Sequence, residues 1–288
     1  MRRNLLLGLA FSLCLAFLFS VPRVYAQLTA DMVQVDINHR ADFWGIPMDC
    51  DYGTPAWHVR AAIAHLLDKQ QFVSTFVPLG TVIENPVPKT TLLTAWYLNW
   101  LPLFRWFADP WHGVGIGLYN VIPMAPDIGA AVDHLEMTGV WLDSNNDDII
   151  DNPPMSRIII IAPDWNAIRQ QLANYLEDNI ETVFGADVVD VRVVSFSDVY
   201  NTVFDVTTED DWHLYMGGWR VPNTPPPDWL YELYHTDSIT SPIAFNYGFY
   251  SNPVYDLLVS LTMTPFTARA AQFVFGFTIG TIPVWSQI

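Results

Sequence analysis

Residues 157–194 constrain the fold more than any other stretch of this chain. "RIIIIAP" (157–163) is an unbroken apolar run, the pattern of a strand covered on both faces. "DWNAIRQQLANYLEDNIETVFG" (164–185) places Ile168, Leu172, Leu176 and Ile180 on one helical face, with Asp164 as its expected cap and Gly185 as its stop. "DVVDVRVVSF" (187–196) alternates apolar and polar residues like a second strand. Strand, helix and strand with joints this short form a βαβ unit, so the two strands are expected to be parallel neighbours with a right-handed crossover. The chain is therefore read as α/β.

The rest is arranged around that unit. "VQVDIN" (33–38) alternates like a short strand. Thr54 caps, and Pro55 opens, a single helix expected to run through "AWHVRAAIAHLLDKQQFVSTF" (56–76), with His58 and His65 on it as structural residues. The stretch 95–123 is dense in Trp, Pro and Gly without a clean period, which reads as a long packed loop. "APDIGAAVDHLEMTG" (125–139) is a short helix stopped by Gly139. "WHLYMGGW" (212–219) reads as a third strand ending at Gly217 and Gly218. Asp228 caps the helix "WLYELYH" (229–235), two further helices cover 254–280, and "TIPVWSQI" (281–288) is a last strand.

The first 26 residues read as a secretory signal peptide. Arg2 and Arg3 precede a long apolar run, and Val24 and Ala26 suit a cleavage site. Cys14 follows Leu13 rather than a small residue, against a lipid anchor. Cys50 is then the one cysteine left, so no internal disulfide forms. The net charge of −17 becomes more negative when the leader's three arginines are removed. So acidic a surface repels nucleic acid and anionic lipid.

"VWLDSNNDDIIDNPP" (140–154) has the spacing of a calcium loop in part. Asp143, Asn145 and Asp147 alternate as an EF-hand's first ligands do, and Asp151 falls at its ninth position. Asp148 stands where the turn glycine belongs, and Pro154 where the closing glutamate belongs. A solvated turn is the competing reading, because Asp and Asn bond their own backbone. The aspartates follow a helix and precede the isoleucine strand, so they lie in a helix-to-strand connection. No HExxH, paired-cysteine spacing, G-x-S-x-G elbow, P-loop or dinucleotide glycine fingerprint occurs, which argues against the commoner enzyme classes.

Five stretches in order carry a resemblance: "HVRAAIAHLLDKQQFV" (58–73), "HLEMTGVWLDSNNDDIID" (134–151), "IRQQLANYLEDNI" with "VVDVRVV" (168–194), "DWHLYMGGWRVPNTPPPDWLYELYHT" (211–236) and "NYGFYSNPVYDLLVSL" (246–261). Together they resemble the C-terminal half of family 5 extracellular solute-binding proteins, the dipeptide- and oligopeptide-binding components of ABC importers. The resemblance implies a periplasmic-binding-protein-like type II lobe, with a mixed sheet, flanking helices and an incomplete second lobe. Family members are about twice as long, so the chain reads as truncated and lacking most of lobe I. On that reading 1–26 is the signal peptide and 27–245 is lobe II with the segment leading into it. Residues 246–288 then return towards the missing lobe, with Phe266, Phe273 and Phe275 exposed.

The resemblance further implies extracytoplasmic, non-catalytic capture of a solute, peptides foremost, in a cleft between lobes. Delivery is to a membrane permease of an ABC transporter, with no nucleic-acid partner and no required cofactor. It places Gly217, Gly218, Trp219 and Arg220 at the cleft edge, with Tyr247, Phe249 and Tyr250 as aromatic candidates. Peptide-binding members carry an aspartate a few residues after the Gly-Trp step. Here Arg220 to Asn223 stand there instead, a departure that removes the aspartate which would anchor an amine and leaves Arg220 available to a carboxylate. Calcium in the Asp143 loop would be an accessory. A fragment with half a cleft can also lack activity of its own. The alternative is a secreted, calcium-stabilised adhesion or structural module.

Overall fold

The isoleucine run and the valine-rich run are adjacent parallel strands of one mixed sheet. The computed structural model describes residues 29–78, 80–82, 126–208, 211–222, 229–239, 245–261 and 281–287. The expected signal peptide, the Trp-rich stretch 95–123, Asp228, and Phe266, Phe273 and Phe275, expected to be exposed, lie outside these residues.

In chain order the strands are β1 (Thr29–Ile37), β2 (Asp42–Phe43), β3 (Ile46–Pro47), β4 (Thr81–Val82), β5 (Ile158–Pro163), β6 (Val189–Val194), β7 (Leu214–Pro222) and β8 (Thr281–Gln287). The helices are α1 (Pro55–Leu66), α2 (Lys69–Phe76), α3 (Ile128–Met137), α4 (Ala167–Phe184), α5 (Phe196–Thr202), α6 (Trp229–Tyr234) and α7 (Pro253–Leu261). The main sheet has the order β4-β8-β1-β7-β5-β6. β5 runs parallel to β6 and β7, whereas β1 is antiparallel to β7 and β8. A small β2–β3 hairpin stands apart. Among the described residues no helix is long and apolar enough to cross a membrane.

Burial explains why β5 is a continuous apolar run. One face, with Ile158, Ile160 and Ala162, joins the large core built with Val33, Val35 and Ile37 of β1 and with Leu172, Leu176 and Ile180 of α4. The opposite face, with Ile161, joins a smaller cluster of Val199, Val203, Trp212, Tyr215 and Tyr247. Each face therefore needs apolar side chains, and strict alternation is lost.

Four expectations about elements need correction. The helix after Thr54 is two helices. Leu67 is extended, and Asp68 caps the second by accepting from the Gln71 N–H at 2.8 Å. The cap of α4 is Asn166, not Asp164, since Asn166 accepts from the Arg169 N–H at 3.1 Å. β7 does not end at the glycines. It continues to Pro222, because β1 pairs with it along its whole length, from Ile37↔Leu214 to Thr29↔Pro222. β1 in turn is a nine-residue strand at the middle of the sheet, not a short lead-in strand. Thr54, Gly139 and Gly185 act as expected. Thr54 accepts from the Trp57 N–H, and both glycines take positive φ, +75° and +84°, at helix ends.

Candidate functional site

The side-chainless step Gly217–Gly218 sits opposite Gln34 and Val33 of β1. Side chains alternate along a strand, so the two glycines open opposite faces. Each opening is filled by a charged group. A Cβ at Gly217 would overlap the Asp36 carboxylate and lie 3.0 Å from the Tyr247 hydroxyl. A Cβ at Gly218 would overlap the Arg169 guanidinium. The glycines are there because two ionisable side chains from neighbouring elements occupy their side-chain space.

Asp36 is almost wholly buried, as is Gln34. Gln34 donates to one carboxylate oxygen of Asp36, and the Tyr247 hydroxyl donates to the other at 2.6 Å. Burial raises the Asp36 carboxyl to about 7, against the pull of the Tyr247 and Gln34 bonds and the charge of Arg169. The Trp219 indole N–H donates to the Tyr247 hydroxyl at 3.1 Å, and the two rings stack with centroids 5.8 Å apart and planes 20° apart. Tyr234 of α6 donates to Gln34 at 2.7 Å. These groups surround a small recess lined by Gln34, Asp36, Tyr234, Asn246 and Tyr247.

Of the residues expected at the cleft edge, Gly217, Gly218 and Trp219 lie together on β7, and Tyr247 packs against Trp219. Trp219 is half-buried and Tyr247 buried. Arg220 continues β7, paired with Asp31. Phe249 and Tyr250 are buried, Phe249 with Arg40 over its ring and Tyr250 in edge contact with Tyr255, so both are packing residues. The sequence reading missed Asp36, Gln34 and Arg169. Arg169 stands in the first turn of α4. Its buried Nε has no hydrogen-bond partner among the described residues.

The edge formed by the carboxyl ends of the parallel strands β5, β6 and β7 carries further aromatic surface. Trp165 follows β5 and Phe196 follows β6, and they meet edge to face at 5.4 Å. They are 48% and 62% exposed, which is unusual for two large aromatic rings in contact.

The aspartate loop is self-satisfied. Asp143 accepts from the backbone N–H of Asp148 at 2.9 Å and of Asp147 at 3.3 Å. Asn145 accepts from the Asp147 N–H at 2.9 Å and donates to the Asp147 carboxylate at 3.1 Å. Asp151 accepts from the backbone N–H and the hydroxyl of Ser144, which hold its carboxyl below the usual range. Asn146 and Asp148 take positive φ, +56° and +62°. Among the described residues no group of three or more His, Cys, Asp or Glu is placed to hold a metal ion. These bonds of Asp143, Asn145, Asp147 and Asp151 close the α3-to-β5 connection on itself.

His58 and His65 have a third partner that spacing did not reveal. His134 of α3 bonds His58 through their Nδ1 atoms at 3.0 Å and stacks on His65 at 5.4 Å. Burial and the two neighbouring imidazoles push His134 down to about 4, so the ring that α3 brings to this contact is neutral at about pH 7.

No protein-family model matches this sequence, and no curated protein is similar to it. Solved structures are similar in fold. The oligopeptide-binding protein AppA from Bacillus subtilis, in complex with a nonapeptide, matches 91% of this chain at TM-score 0.62 and 17% identity. A periplasmic oligopeptide-binding protein from Thermotoga maritima matches 90% at TM-score 0.61 and 16% identity. NikZ from Campylobacter jejuni, in complex with Ni(L-His), matches 90% at TM-score 0.59 and 15% identity. This chain spans less than half of each of them: 45%, 44% and 47% of their length. Its fold, an α/β unit with a mixed sheet and flanking helices, is thus similar to part of these solved binding proteins.

Proposed function

We propose that this chain captures a small solute, with peptides as the first class, without chemical turnover. It acts outside the cytoplasm and in partnership with the permease of an ABC importer. The observation that carries the reading is the position of Gly217–Gly218–Trp219. The step lies where β7 approaches the carboxyl ends of β5 and β6, the edge at which open α/β sheets take their ligands. Trp219, Trp165 and Phe196 supply aromatic surface to that edge, and Arg169 supplies a cation with an unpartnered Nε. Aromatic walls with a few polar groups to fix orientation are what a solute cleft needs. A peptide carboxylate suits the guanidinium of Arg169 or Arg220, since a planar fork matches a carboxylate. The solved neighbours named above include proteins holding a nonapeptide and a nickel–histidine complex.

The test is thermal melting of the chain with pools of dipeptides to nonapeptides at millimolar concentration. A ligand that binds only the folded state raises Tm in proportion to the logarithm of its concentration. The expected result is a concentration-dependent rise for at least one pool, abolished by Trp219→Ala. Unchanged melting with every pool would overturn the peptide reading.

A further inference from the structure

Trp219 does not rest on the sheet by packing alone. A chain of hydrogen bonds runs from α6 to the edge of the sheet: Tyr234 to Gln34, Gln34 to Asp36, and from the other end Trp219 to Tyr247 and Tyr247 to Asp36. We infer that Asp36 is a positioning residue that fixes the Trp219 indole through Tyr247, so that one buried carboxylate on the same face of the sheet sets the geometry of the solute-facing wall. The inference rests on the reading that Trp219 meets the solute.

Donor polarity gives the argument. An indole N–H only donates, so the Tyr247 hydroxyl must accept from Trp219. The hydroxyl's single proton then has to go elsewhere, and it goes to the Asp36 carboxylate at 2.6 Å. An ionised carboxylate only accepts, so it suits both Tyr247 and the Gln34 amide. A proton on Asp36 breaks this pattern. Placed towards Tyr247, it forces the phenol to find a second acceptor in a fully buried setting. Placed towards Gln34, it forces that amide to turn over and forfeit the bond Tyr234 now donates. Gly217 is part of the device, because any side chain there would occupy the space of the carboxylate. The groups facing Asp36 are Tyr247, Arg169 from α4, Tyr215 from β7, and Tyr234 by way of Gln34. Burial puts its ionisation at about 7, so the two patterns exchange near neutrality.

The experiment follows the indole N–H signals of the full chain labelled with nitrogen-15 at tryptophan. Trp219 is assigned among the 12 tryptophans as the signal lost in Trp219→Phe. The expected result is a Trp219 indole shift that titrates with a midpoint near 7 and is lost in Tyr247→Phe. That variant keeps the ring and its stack and removes only the hydroxyl, so it spares the fold. Asp36→Asn is expected to abolish the same titration, and the double variant to behave like Tyr247→Phe alone, because both substitutions cut one chain. A Trp219 signal that does not titrate between about pH 5 and 9, or that titrates unchanged in Tyr247→Phe, overturns the inference. No ligand is used, so this failure is separate from failure of the capture reading, which shows as unchanged melting with every peptide pool.

Discussion

Two polar regions of this molecule use their acidic groups in opposite ways. The loop 140–154 holds four aspartates in fifteen residues and is the most conspicuous chemistry in the sequence. It lies mostly in water and turns its oxygens onto its own backbone N–H groups. The end of β7 holds no acid at all. It receives a single carboxylate, Asp36, from the neighbouring strand, excludes water from it, and gives it two side-chain donors. Density of charge marks the place where solvent does the work. One buried charge with defined partners marks the place where geometry is held. In a low-dielectric setting the same hydrogen bonds are stronger, and an unmet group costs more.

The comparison breaks first at the glycines. Gly217→Ala forces a methyl group against a buried carboxylate pinned by two bonds, and overpacking of this kind costs about 1–3 kcal/mol. Gly218→Ala meets the far end of a long arginine side chain that can swing aside, so its cost is smaller. Urea denaturation of both variants checks the order, and equal costs would show that Asp36 is not held in place.

The loop gives a smaller effect of a different kind. Asp143→Ala leaves the backbone N–H groups of Asp147 and Asp148 to water, a loss of about 1 kcal/mol. The loss is expected at full size with a chelator present, and the chelator alone is expected to leave the wild-type Tm unchanged. A steep drop in Tm on chelation would instead restore calcium to the loop.

Much of the fold was legible because local pattern and tertiary role agree. The isoleucine run, the helical face of Ile168 to Ile180 and the valine-rich run each state their element, and together they state a parallel pair. The break at Leu67 was also written in the sequence. Asp68 with Gln71 three residues on is a helix-start signature, and the continuous apolar face obscured it. The choice of cap at α4 was harder, since Asp164 and Asn166 both suit the role and only the path of the chain selects one. The candidate site was half legible. Gly217, Gly218 and Trp219 stand out as a step in a strand. Asp36 and Gln34 do not, because polar residues at alternate positions of "VQVDIN" look like a solvated face. That face is covered by Tyr234 and Tyr247, which come from 200 and 211 residues further along the chain than the Gln34 and Asp36 they bond. Only the register of β1 against β7 brings the acid to the glycine, and register is not a local property. His134 was hidden for the same reason, being supplied by a second helix.

The most direct measurement is a footprint by amide hydrogen exchange, with and without a millimolar pool of dipeptides to nonapeptides. Slowed exchange is predicted in 214–222 and in the first turn of α4, with 143–151 unchanged. Protection confined to 143–151, or none at the carboxyl edge of the parallel strands while the pool binds, would contradict the account.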